Sequence, residues 1–202
     1  MNANPACIVL SGKAGSGKTS SLRAFAAAAA EAGHPLAVAL QLGEARGADG
    51  RAHGFSMELL RAVGGSLASE RRALARERAA GEASAAGAIL HGHYVFEAAV
   101  FSWAEAFVRG ELGAPRRPVL VGLDEMGKLE LSRGEGLGAC LDASLDAMSG
   151  DGAPRLLVLT ARGLNLPEIL KLVGERGLAV AVFEAGDREG FFRAGLAALS
   201  LR

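Results

Sequence analysis

An α/β fold with a mostly parallel sheet flanked by helices on both faces is predicted by three observations. Short, wholly apolar runs end in Gly-rich or acidic turns, helical segments separate those runs, and a phosphate-loop signature follows the first of them. The first run, residues 7–10, has no polar position, as a strand covered on both faces requires. Residues 19–32 then read as a helix rich in alanine, stopped by Gly33 and Pro35. Residues 36–42 form a second buried strand, so the order strand, loop, helix, strand opens a parallel crossover.

Farther along, residues 97–112 carry Val100, Trp103, Ala104, Phe107 and Val108 at helical spacing, which assigns Trp103 to packing. Residues 118–123 read as a buried strand ending in Asp124-Glu125. After it come a helix over 136–148, a strand over 155–159, a helix over 167–173, a strand over 179–183 and a last helix from about 188. The stretch 43–95 is less regular. Its glycines recur and its apolar pieces, 55–60 and 88–90, alternate with charge, so short strands and turns are expected. No internal repeat or low-complexity linker divides the chain, and residues 1–202 are expected to form a single domain.

The 22 basic and 22 acidic residues cancel, leaving no global field to hold the chain on nucleic acid, and no nucleic-acid partner is expected. Any protein partner is left unspecified. No apolar stretch approaches the roughly 20 residues of a membrane helix, and no positive segment precedes the first apolar run. Cys7 and Cys140 are far apart and belong to no Cys-x-x-Cys pair, so reduced thiols and a cytoplasmic location are expected. His91 and His93 flank Gly92, but no third and fourth ligand stands nearby at metal-binding spacing.

Residues 12–19 read Gly12-Lys13-Ala14-Gly15-Ser16-Gly17-Lys18-Thr19, with Ser20 next in the helix. This is the P-loop pattern, in which successive backbone N–H groups and a helix N-terminus surround nucleotide phosphates. Lys18 would reach the β- and γ-phosphates, and the Thr19 hydroxyl would ligate Mg2+. Lys13 and Lys18 are two of the four lysines in a chain that otherwise uses arginine. Cleavage also needs a carboxylate for the hydrated metal and a group aimed at the attacking water. Asp124 fits the first role and Glu125 the second. Thr160, at the end of the next strand, is a candidate sensor of the γ-phosphate, and Thr19 and Thr160 are the only threonines in the chain.

From Leu123 to Leu131 the chain reads Leu-Asp-Glu-Met-Gly-Lys-Leu-Glu-Leu, and here it resembles the nucleoside-triphosphatases first described from thermophiles, whose vertebrate members are called cancer-related nucleoside-triphosphatases. The family's second motif is Asp-Glu-Ile-Gly-Lys-Met-Glu-Leu. Glu44-x-Arg46, Gly54-Phe55 and Gly92-His93-Tyr94 line up as further marks, and the similarity spans most of residues 6–185. The resemblance implies a RecA-like P-loop NTPase and slow, Mg2+-dependent hydrolysis of ATP, GTP and other nucleoside triphosphates to diphosphate and phosphate. It also implies that Lys18, Thr19, Asp124 and Glu125 do the work. Two departures stand out: Gly186-Asp187-Arg188 replaces the family's Asn-Arg-Asp, and residues 64–87 diverge, with charged clusters at 70–72 and 76–78 that read as a solvated face.

A cation on the γ-phosphate would add most to the rate. Arg46, placed after the second strand, is the candidate, and Arg162 is the runner-up. Two other readings stay open from sequence. A small nucleotide or metabolite kinase would carry an acceptor pocket, and a switch or assembly protein would use hydrolysis to time a change of partner.

Overall fold

The structure is a computed structural model and describes residues 6–44, 52–82, 85–148 and 154–200. Among the described residues nine strands form one sheet in the order β5-β6-β4-β3-β2-β7-β8-β1-β9. These are β1 (Cys7–Ser11), β2 (Leu36–Gly43), β3 (Gly54–Val63), β4 (Ser66–Glu77), β5 (Ala88–His91), β6 (Tyr94–Glu97), β7 (Leu120–Met126), β8 (Leu156–Ala161) and β9 (Val180–Glu184). The half running from β2 to β9 is parallel throughout, and β3 to β6 extend it by antiparallel pairing. The predicted α/β class, with parallel strands flanked by helices, is therefore what the chain adopts.

Among the described residues six α-helices accompany the sheet: α1 (Lys18–Glu31), α2 (Ala98–Gly113), α3 (Lys128–Arg133), α4 (Gly138–Ala147), α5 (Leu166–Glu175) and α6 (Arg188–Ser200). Alternate side chains of each buried strand point to opposite faces, and two cores result. On one face Val9, Val121, Leu123 and Leu159 meet α2, α4 and α5 through residues such as Val108, Leu141 and Ile169. On the other face Ile8, Leu10, Val38 and Val158 meet α1 and α6 through Leu22, Phe25 and Phe191. Trp103 is partly buried against the first core, as its helical spacing predicts, and the Arg72 guanidinium lies 4.2 Å above its ring.

The segment 43–95 departs from the expectation of short strands. β3 and β4 are ten and twelve residues long and pair along their whole length through a turn at Gly64-Gly65. β4 buries only Leu74 fully, so its charged clusters mask the strand from an apolar pattern. Those clusters are exposed, as predicted, and Arg61 pairs with Glu70 and Arg71 with Glu44 across the surface. A Cβ on Gly54 would stand 2.5 Å from the Ala75 carbonyl oxygen, so glycine alone lets the two strands close where their register shifts. The short helix α3 is a further element that sequence patterning does not reveal.

The topology positions the site. The chain leaves β1, crosses by α1 and returns as β2, so β8 and β7 come to lie between those two strands. The C-terminal ends of β1, β8, β7 and β2 then stand side by side, at the edge where open parallel sheets bind ligands.

Candidate active site

The phosphate loop links β1 to α1. Gly17, the residue before the helix, has φ 91° and no side chain caps the N–H groups of the first turn. Gly12 is needed for closeness, since a Cβ there would come within 2.5 Å of Ser16 Oγ. Lys13 through Gly17 are exposed, whereas Lys18 is buried and its Nζ donates to the carbonyl oxygens of Gly12 and Lys13, each at 3.0 Å. The ammonium is thereby held under the loop by two carbonyls, which a phosphate oxygen can replace.

Asp124 is the centre of the polar network. It is 1% exposed, and three groups donate to its carboxylate: Thr19 Oγ1 at 2.9 Å, the Gln41 backbone N–H at 3.2 Å, and Thr160 Oγ1. Burial pushes its carboxyl up to about 6, against the pull of the two threonine hydroxyls and the Gln41 amide. Thr19 spends its hydroxyl proton on Asp124 and keeps oxygen lone pairs for a cation. Thr160, the candidate phosphate sensor, likewise directs its proton at Asp124, so its hydroxyl serves the carboxylate in this arrangement.

Asp124 and Glu125 leave the regular ladder. β7 pairs with β8 at Leu123–Leu159 and again at Met126–Ala161, so two residues of β7 stand opposite Thr160 alone. A bulge re-aims consecutive side chains that a regular strand would send to opposite faces. Asp124 consequently turns inward to Thr19, while Glu125 faces the cleft and accepts from Arg162 Nε at 3.0 Å. Arg162, the sequence runner-up, is thus the described arginine that lines the cleft; Arg46 lies outside the described residues.

The segment after Glu125 has a structural purpose of its own. Glu130 caps α3, with one carboxylate oxygen accepting from Gly127 N at 2.9 Å and the other from Leu137 N at 3.4 Å. Burial raises its carboxyl to about 7. Leu129 beneath it belongs to the core. These contacts fix the backbone immediately downstream of Glu125.

A cleft of about 580 Å3 lies over these groups, lined by Ala14 to Ser20, Gln41 to Gly43, Ala52, Phe55, Tyr94, Glu125 and Arg162. Ala14 through Ser20 and Glu125 thus line one cleft, and Asp124 and Thr160 join them through the hydrogen bonds to Thr19 and to each other. Gln41, Phe55 and Tyr94 join them without having been assigned a role from sequence. Phe55 and Tyr94 had a signal in the quoted family marks, whereas Gln41 had only its position at a strand end. Tyr94 is fixed by its hydroxyl, which donates to Ala52 O at 2.7 Å, and by an edge-to-face contact with Phe55. Gly186-Asp187-Arg188 does not line the cleft; Asp187 accepts from Gly190 N at the start of α6.

Among the described residues no group of three or more His, Cys, Asp or Glu is gathered to hold a metal by itself. The donor set at Thr19 and Asp124 is one hydroxyl and one carboxylate, which suits Mg2+ completed by phosphate oxygens and water. Both cysteines are buried, with Cys7 and Cys140 each pushed up to about 12 by burial, so they stay protonated and take no part. No described helix is long and apolar enough to cross a membrane.

No protein-family model and no curated protein matches the chain. Among solved structures, it is similar to the crystal structure of THEP1 from the hyperthermophile Aquifex aeolicus. The two share 15% identity over 96% of this chain and 99% of the other, with a TM-score of 0.61, so the α/β phosphate-loop fold of this chain matches a known one from end to end.

Proposed function

We propose that this chain is a cytoplasmic, Mg2+-dependent nucleoside-triphosphatase, a divergent relative of the thermophile nucleoside-triphosphatases that its second motif resembles. The observation that carries the reading is the convergence of Lys18, Thr19 and Asp124 with Glu125 turned into the same cleft. A structural role alone would not put a buried carboxylate and an open one, adjacent in sequence, at the mouth of an uncapped helix N-terminus.

In the mechanism, the loop N–H groups from Gly12 to Ser20 hold the β- and γ-phosphates, and Lys18 Nζ moves from the Gly12 and Lys13 carbonyls to phosphate oxygen. Thr19 and Asp124 would hold Mg2+, which would supply charge neutralisation for the phosphates. Glu125 accepts the proton of the attacking water as its oxygen bonds to the γ-phosphorus and the bond to the β,γ-bridging oxygen breaks. Thr160 and Gln41 hold Asp124 in place. Arg162, just past the end of β8, orients Glu125, and on releasing it can reach developing charge on the γ-phosphate.

Phosphate release from ATP, GTP, CTP and UTP, with Mg2+ and with chelator, tests the reading. Turnover of several nucleotides that stops in chelator supports it. Absence of phosphate release from all four contradicts it.

A further inference from the structure

A second cavity of about 310 Å3 adjoins the phosphate cleft and includes no phosphate-loop residue. It shares with the cleft Gln41, Phe55, Tyr94, Glu125 and Arg162, so Glu125 stands at the junction of the two spaces. An attacking water occupies roughly 30 Å3, about a tenth of this volume. The space is instead at the small end of organic-ligand pockets, which run from about 300 Å3.

Its lining is not that of a solvent channel. Phe55 and Tyr94 meet edge to face with centroids 5.0 Å apart, and Phe96 stacks against Phe55 at 6.2 Å. Leu129 adds buried apolar surface, while Leu164, on the short 3-10 turn after β8, is 70% exposed at the same cavity. Lys128 is exposed beside it and forms no ion pair among the described residues. An aromatic wall, an unpaired cation and two carboxylates, Glu125 and the α3-capping Glu130, are thus brought together.

We propose that this cavity is a phosphoryl-acceptor site for a small aromatic hydroxy acid, a proposal that rests on the reading of the phosphate loop and Glu125 given above. The ring lies against Phe55, Tyr94 and Phe96, the carboxylate meets Lys128, and the alcohol points to Glu125. The acceptor oxygen forms a bond to the γ-phosphorus as the bond to the β,γ-bridging oxygen breaks. The nucleoside diphosphate leaves with that electron pair, and the alcohol proton passes to Glu125. With the cavity empty, water takes the acceptor's place and hydrolysis results.

The test adds 3-phenyllactate, mandelate or 4-(hydroxymethyl)benzoate to the protein with ATP and Mg2+ and follows products by phosphorus NMR. The expected result is a phosphate monoester that grows with acceptor concentration at the expense of orthophosphate. Lys128→Glu should lower its yield about tenfold while binding of a fluorescent N-methylanthraniloyl-ATP persists. Leu164→Glu, at the cavity mouth, should act in the same direction and guards against a local effect of the first change. Orthophosphate alone with all three acceptors, from protein that binds the fluorescent nucleotide, overturns the proposal. Loss of nucleotide binding in the unmodified protein overturns the phosphate-loop reading and takes the proposal with it.

Discussion

The parallel half of the sheet and its antiparallel extension bury their residues differently, and the site is divided between them accordingly. β1, β7 and β8 are covered on both faces, and every residue of β1 and β8 is buried. β4 is mostly exposed, and β5 is only half-buried. The first half supplies the phosphate loop, Asp124, Glu125 and Thr160. The second supplies Phe55, Tyr94 and Phe96, which shape the space beside them. The proposed reaction chemistry thus stands on strands covered on both faces, and the proposed acceptor contacts on the extension beside them.

That division can be tested most forcefully in the parallel half. Lys18→Ala removes the cation beneath the loop and should lower phosphate release about 10²–10³-fold with little change in melting temperature, measured by phosphate assay and calorimetry. A loss no larger than that of a surface substitution would break the link between the loop and the chemistry.

Glu130, which caps α3 just after Glu125, gives a pH signature. Its carboxyl sits at about 7 in the fold against 4.5 when free, so between those values the folded protein keeps a proton that the unfolded chain has released. Stability from this group is complete below 4.5 and falls as pH rises, by about 3 kcal/mol once pH exceeds 7. Asp124 acts in the same sense between 3.8 and about 6 when no cation is bound. Thermal melts should therefore show a higher midpoint at pH 5.5 than at pH 8, and Glu130→Gln should flatten the difference. An unaltered slope in that variant would assign the pH dependence elsewhere.

The antiparallel half should respond to geometry. Gly54→Ala sets a methyl against the Ala75 carbonyl and should cost about 1–3 kcal/mol in denaturant unfolding, because backbone must move. Nucleotide affinity should fall less than stability, since the phosphate loop lies on other strands. An equal loss of both would mean that the halves are not separable.

Much of this was legible in the sequence, and the reasons differ by region. The apolar runs at 7–10, 36–40 and 156–159 declare themselves because the middles of strands covered on both faces are wholly apolar. The phosphate loop declares itself because glycine, lysine and threonine at fixed spacing meet one chemical demand. β4 stays hidden because one face is solvated and its charges interrupt any apolar alternation. The second cavity is hidden for another reason: Phe55 and Tyr94 are 39 positions apart and meet only through the pairing of β4 with β3 and β6. Likewise the bulge that separates the aims of Asp124 and Glu125 depends on pairing with β8, which local sequence does not state. From sequence Arg162 is a candidate cation for phosphate, and its pairing with Glu125 emerges only from the register of those same strands.

The most direct measurement compares Glu125→Gln with the unmodified protein in two assays, phosphate release with ATP and Mg2+ and equilibrium binding of N-methylanthraniloyl-ATP. The account predicts turnover lower by about 10²–10⁴-fold with affinity little changed, because glutamine keeps the shape of the side chain and cannot take the water's proton. Undiminished turnover in the variant would contradict the assignment of Glu125 and, with it, the hydrolytic reading of the site.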